Sequence, residues 1–150
     1  MLLDYRKFFV KERVAFVKLT DAYDIFDPDT NQPIGSAIDE PPSWAKLARL
    51  LVNKRFLPTV INIYEAGSEE PLFFIRKKPG FLRVKVVICD SHGSEFCTFC
   101  EKFLTMNPGF NLFDTDGSQI AEVKGDGAYS YFRFFDNAGN ELGTITAITT

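Results

Sequence analysis

Three groups of residues have types and spacing suited to chemistry. The first is basic. Arg76-Lys77-Lys78, with Arg83 and Lys85, surrounds Pro79-Gly80-Phe81-Leu82. Lys46, Arg49, Lys54 and Arg55 form a second basic stretch, with Trp44 at its start. Cations around exposed aromatics such as Trp44 and Phe81 suit an anionic lipid headgroup, at up to about 1 kcal/mol per charge near such a surface. A solvated loop and a helix packed on a sheet account for the same residues, because charge runs usually only solvate.

The second group is acidic. Asp27-Pro28-Asp29-Thr30-Asn31 places oxygen ligands at alternate positions, as an EF-hand loop does at its start. The sixth position is Gln32, where that loop needs Gly, and the twelfth is Ile38, where it needs a bidentate Glu. The segment therefore reads as a hairpin turn. The third group is Cys97-Thr98-Phe99-Cys100. A structural zinc needs four ligands, and this chain offers no second Cys pair and a single His, His92. On a strand, positions i and i+3 also point to opposite faces, so the thiols read as core residues. His92 has Ser91 beside it but no acid to orient it. No phosphate loop, dinucleotide fingerprint or nucleophile elbow occurs. No catalytic residue, metal ligand or cofactor is assigned, and the chain is not read as an enzyme.

These residues must be positioned by a repeated element. "YDIFDPDTNQPIGSAIDE" (23–40) has an apolar stretch, a turn rich in Asp, Asn and Pro, and a second apolar stretch. The pattern returns at 61–78, 84–102, 110–126 and 131–148. Asp90-Ser91-His92-Gly93, Asp114-Thr115-Asp116-Gly117 and Asp136-Asn137-Ala138-Gly139 are near-copies of one turn. In such turns Asp bonds its own backbone two residues on, and Gly takes the positive φ that other residues resist. The acidic residues thus have a structural reason to be there. Val84, Val86 and Ile88 share one face of a strand; Tyr131, Arg133 and Phe135 share another, with Phe132 and Phe134 opposite. Five hairpins make ten strands, and 7–19 adds one or two more. "PPSWAKLARLLVNKRFLP" breaks the pattern: Ser43 is a good N-cap, and Trp44, Leu47, Ala48 and Leu51 keep helical spacing, which predicts one helix over 44–54. Short hairpins joined directly predict one antiparallel sheet that closes into a barrel and loses its edges.

The bulk numbers bound the function. A chain of 150 residues forms one domain, read here as spanning 1–150. Aromatic residues reach 15%, mostly Phe, which favours strands over helices. A net charge of −3 gives no global attraction to nucleic acid or to an anionic membrane, so any such binding needs a local patch. Three Cys, an odd number, point to a reducing compartment rather than a disulfide-stapled secreted domain. No apolar run approaches the roughly 20 residues of a membrane span. The expected location is cytoplasmic, or peripheral at the inner membrane face.

"YDIFDPDTNQPIG", "FNLFDTDGSQIAEVKGD" and "YFRFFDNAGNELGTIT", with "FFVKERVAFVKLTDAYDIFD" ahead of them, resemble the scramblase and LURP-one-related family, in its bacterial form. The resemblance implies the tubby C-terminal-like fold, a twelve-stranded antiparallel barrel around a central apolar helix. The family's helix follows its last barrel repeat, and the pattern here stops at "ELGTITAITT". A C-terminally incomplete version of the fold is expected on that basis, or one whose bore is filled by the 44–54 helix or by another subunit. The resemblance also points to phospholipid. The expectation is a non-enzymatic, lipid-binding module in which Arg76, Lys77, Lys78, Arg83, Lys85, Lys46, Arg49, Lys54 and Arg55 meet anionic headgroups while Trp44 and Phe81 touch the membrane. The alternative is a protein-interaction barrel or homo-oligomer, or a carrier of an apolar ligand in the bore.

Overall fold

The computed structural model describes residues 1–14, 21–40, 43–48, 51, 57–78, 84–102, 108–126 and 130–148. Eleven strands form one sheet in chain order. They are β1 (Phe9–Glu12), β2 (Ala22–Phe26), β3 (Pro33–Asp39), β4 (Thr59–Glu65), β5 (Phe73–Lys78), β6 (Lys85–Asp90), β7 (Glu95–Glu101), β8 (Gly109–Phe113), β9 (Gln119–Gly125), β10 (Tyr131–Asp136) and β11 (Glu141–Thr146). A short helix, α1 (Ser43–Ala48), lies between β3 and β4. It occupies the start of the span predicted to be helical, with Ser43 as its first residue; 49, 50 and 52–56 fall outside the described residues. The five hairpins expected from the repeats are β2–β3, β4–β5, β6–β7, β8–β9 and β10–β11, and 7–19 contributes β1.

Three of the hairpins share one turn. In each, the glycine N–H bonds the Asp carbonyl three residues back: Gly93 to Asp90 at 3.0 Å, Gly117 to Asp114 at 3.1 Å and Gly139 to Asp136 at 3.1 Å. These glycines have φ of 90°, 88° and 85°, the left-handed region that costs any residue with a Cβ about 1–2 kcal/mol. The strand pairing slips by one residue next to each of these turns, between Ile88 and Cys89, Leu112 and Phe113, and Phe134 and Phe135. A turn closed by a left-handed glycine with a one-residue bulge matches the twist of the two strands it joins. The Asp side chain completes the turn. The Asp136 Oδ1 accepts N–H groups from Ala138 at 3.0 Å and Asn140 at 2.8 Å. The Asp27 turn is one residue longer, puts Asn31 rather than Gly at φ 58°, and spends its carboxylate on the Asp29 N–H and the Thr30 hydroxyl. Oxygens at EF-hand spacing thus act as local caps.

The ladders sort every strand into two faces, because side chains alternate and cross-strand partners share a side. One face is apolar. On it Ile25, Ala37 and Ile63 are buried in register across β2, β3 and β4, with Phe73 next on β5. Further along, Val86 pairs Phe99, Leu112 pairs Ala121 and Val123 pairs Phe134. The N-terminal turn at Leu2–Asp4 covers part of this face. Leu2 is buried in the cluster with Ile25, Ile34, Ala37 and Ile63, and its N–H donates to the Glu65 carboxylate at 2.6 Å. A Cβ at Gly35 would lie 3.3 Å from the Leu2 side chain and 2.6 Å from the Tyr64 carbonyl oxygen, so only glycine lets these two layers meet.

The expected closure into a barrel is not seen. Every pairing is antiparallel and consecutive, and β1 and β11 are the two edges of the sheet. With an odd number of alternating strands the two edges run in the same direction, so antiparallel closure between them is unavailable.

Two outcomes follow. Leu2→Ala is expected to lower the unfolding free energy by about 2–4 kcal/mol in urea titration, the range for a buried Leu whose site collapses only partly. A loss near zero would mean that the N-terminal turn does not cover the core. Backbone bonds from Asn140, with help from its side chain, hold the Asp136 carboxyl below its usual range. Its contribution is complete above the unfolded carboxylate value near 3.9 and disappears as pH falls through the lower folded value. Stability curves of the parent and Asp136→Ala are expected to differ above the unfolded carboxylate value near 3.9 and to converge at acid pH, once the folded carboxyl is protonated.

Candidate functional site

The expected basic loop over 76–85 is in part a strand surface. Arg76, Lys77 and Lys78 end β5, and Lys85 begins β6. Lys78 stands directly opposite Lys85, and Arg76 opposite Val87, so Arg76, Lys78 and Lys85 share one face. Lys77 pairs with Val86 and Thr59 and belongs to the other, apolar face, where it is half-buried. Phe81 and Arg83 lie outside the described residues, as do Arg49, Lys54 and Arg55. Lys46 lies in α1, but its side chain is outside the described set. Trp44, also in α1, is 61% exposed, which leaves its ring open to a partner. Of the eleven residues expected to form the lipid contact, the structure brings Arg76, Lys78 and Lys85 together.

The electrostatics of this face are uneven. The Arg76 guanidinium reaches across β6 to Glu95 on β7, with Nη2 to Oε1 at 2.6 Å. Its Nε–H is buried with no hydrogen-bond partner among the described residues. Lys78 and Lys85 are exposed, and no described acidic side chain lies within ion-pair distance of either. Like charges directly opposite on neighbouring strands destabilise the pair. Three cations against one carboxylate leave two net positive charges on a small area. Beneath them Val87 and Cys89 are fully buried, although they are on the polar face. Burial pushes the Cys89 thiol up despite the opposing charge of Arg76, which disfavours the thiolate.

The other two cysteines follow the alternation. Cys97 pairs with Ile88 on the apolar face and Cys100 with Lys85 on the polar one. The Cys97 thiol is also pushed up, by burial and then by Cys89. Among the described residues no group of three metal-ligating side chains comes together. His92 is an exposed turn residue whose N–H donates to Asp90.

A second polar surface was not singled out from sequence. On β9 and β10 a groove of about 340 Å³ is lined by Glu122, Lys124, Phe135, Asp136 and Asn137, among others. Glu122 takes Lys102 at 3.3 Å and Lys124 at 3.4 Å on one oxygen, and Arg133 pairs with Glu141 at 3.0 Å. Lys124 and Arg133 both sit over the Phe135 ring, at 5.2 and 5.0 Å from its centre. Burial pushes the Glu122 carboxyl up, but Lys102 and then Lys124 outweigh it and hold it low. Every cation of this network touches a carboxylate, whereas on the β5–β6 face Lys78 and Lys85 have no described acidic partner. Glu95 was missed for a simple reason: its meeting with Arg76 depends on the register across three strands. The Asp90–Gly93 turn sets half of that register, placing Cys89 opposite Glu95.

Comparison with protein-family models, with curated proteins and with solved structures gives no match. The geometry alone therefore bears on function.

Replacing Lys85 by Glu converts a repulsive cross-strand pair into an attractive one. Lys85→Glu is expected to raise the unfolding free energy by about 0.2–1 kcal/mol at low salt, and high salt is expected to erase most of the gain. An unchanged midpoint at low salt would show that the two ammonium groups do not feel each other.

Proposed function

We propose that this protein is a non-enzymatic module that binds anionic phospholipid through the face of β5 and β6 bearing Arg76, Lys78 and Lys85. One observation carries the reading: the ladder sets Lys78 opposite Lys85 with no acidic partner for either among the described residues, one ladder step along from Arg76. Such an arrangement costs folding energy unless an anion is brought to it. A negatively charged membrane supplies one, with about 1 kcal/mol gained per cation near its surface. Exposed Trp44 adds an aromatic group of the kind that settles at headgroup depth. The resemblance of the repeats to the scramblase and LURP-one-related family points the same way. Among the described residues no helix is long and apolar enough to cross a membrane, so the contact is drawn as peripheral. The unpaired β11 edge favours a second reading, a protein-interaction module. A carrier of an apolar ligand in the bore needs a closed sheet, and the strand order is that of a sheet with two edges.

Co-sedimentation with vesicles tests the lipid reading. Binding is expected to phosphatidylcholine vesicles containing phosphatidylserine, and not to phosphatidylcholine alone. It is expected to fade as salt is raised. Lys78→Gln with Lys85→Gln is expected to weaken it by about 2 kcal/mol, roughly thirty-fold. No binding to anionic vesicles at low salt would remove the reading.

A further inference from the structure

We propose that β11 is a dimerisation edge, on which a second copy of this chain lays its own β11 in antiparallel pairing about a two-fold axis at Ile145. The proposal rests on the sheet and is independent of the lipid reading. The sheet has two edges that run the same way, so neither can complete the antiparallel pattern with the other. The edges are also unlike. β1 carries Lys11 and Glu12, followed by Arg13, which pairs with Asp24 at 2.7 Å. Charges of this kind discourage edge-to-edge pairing. β11 is Glu141-Leu142-Gly143-Thr144-Ile145-Thr146, and its one charge, Glu141, sits at the start and is held by Arg133 at 3.0 Å. Every residue of β11 is exposed.

The backbone states which groups are open. The Ala147 N–H donates to the Ser130 carbonyl at 2.8 Å, toward β10. Strand groups alternate in direction, so Thr144 and Thr146 turn their N–H and C=O to the free side. Pairing Thr144 with Thr146 of the second copy, and the reverse, satisfies all of them. That register sets Ile145 opposite its own counterpart and Leu142 opposite Ile148 of the second copy. These three are the large apolar residues left uncovered at this edge, at 54%, 63% and 67% exposure. Glu141 falls at the far end of the pairing from its counterpart, so no like charges meet. A parallel arrangement would bring the two Glu141 side chains together. Pairing β11 with β1 of the second copy would leave a free edge at each end and grow an open-ended filament, whereas β11 on β11 closes at two copies.

The test is sedimentation equilibrium of the 150-residue chain from low to several hundred micromolar. A monomer–dimer equilibrium is expected. Thr144→Pro removes one outward N–H per copy without touching a β10–β11 bond, and Pro is tolerated on an edge strand. It is expected to weaken the dimer about ten-fold or more while far-ultraviolet circular dichroism stays unchanged. Should that variant fail to fold, Ile145→Lys and Ile145→Glu give the same test by charge. Each alone is expected to be monomeric, and an equimolar mixture of the two is expected to restore the dimer. Val10→Lys, on β1, is expected to leave the dimer intact. A strict monomer at the highest concentration, a dimer indifferent to the Thr144 and Ile145 changes, or a series of ever larger species would each overturn the proposal.

Discussion

A strand has two sides, and a slip of one residue exchanges them. That constraint governs everything placed on this sheet. Five of the ten strand junctions are hairpins, and their turns fix register through one residue with positive φ each: Asn31, Gly67, Gly93, Gly117 and Gly139. The other five junctions run in part through residues outside the described set. At β5–β6, half-buried Phe73 and Ile75 continue the apolar face of Ile63 and Ile61, Ile88 and Val86 extend it, and fully buried Val87 and Cys89 stand on the other face. A slip of one residue there would exchange the faces of one strand against the other and turn Val87 and Cys89 out of their buried positions.

The charged residues therefore follow from the apolar ones. Arg76, Lys78 and Lys85 share a face because Ile75, Val86 and Ile88 occupy the other. Lys77 is on the apolar side for the same reason, despite sitting between two residues of the basic face. The polar face is not uniform. Toward β9–β11 its cations each meet a carboxylate, with Glu122 shared by Lys102 and Lys124, and Arg133 on Glu141. At β5–β6 Arg76 is paired with Glu95, one of its guanidinium N–H groups has no described partner, and Lys78 and Lys85 on the same face have no described acidic neighbour. Among the described residues, the cations without a carboxylate partner on this face are thus gathered at Lys78 and Lys85.

Much of the fold was legible in the sequence. The repeats located all five hairpins, the Asp-x-x-Gly segments gave the turns, and period-two patterns assigned faces that the register bears out, as for Phe132 and Phe134 against Arg133 and Phe135. Closure was not legible. Whether the closing pair can be antiparallel depends on the parity of the strand count, and the segment 7–19 was consistent with one strand or two. The candidate site was legible in part. Alternation alone separates Lys77 from its neighbours, but the opposition of Lys78 and Lys85 needs the β5–β6 register. Glu95 was out of reach because two registers must combine to bring it to Arg76. The groove at Phe135 was hidden for a related reason: Lys124 and Arg133 meet over the ring only once β9 and β10 are aligned.

The most direct measurement of register is a set of cross-strand backbone proton contacts from nuclear Overhauser spectra of the folded chain. The account requires contacts linking Lys78 with Lys85, Arg76 with Val87 and Ile75 with Ile88, in one ladder. A ladder displaced by one residue, with Lys77 opposite Lys85, would contradict it, because the three cations would no longer share a face with one another.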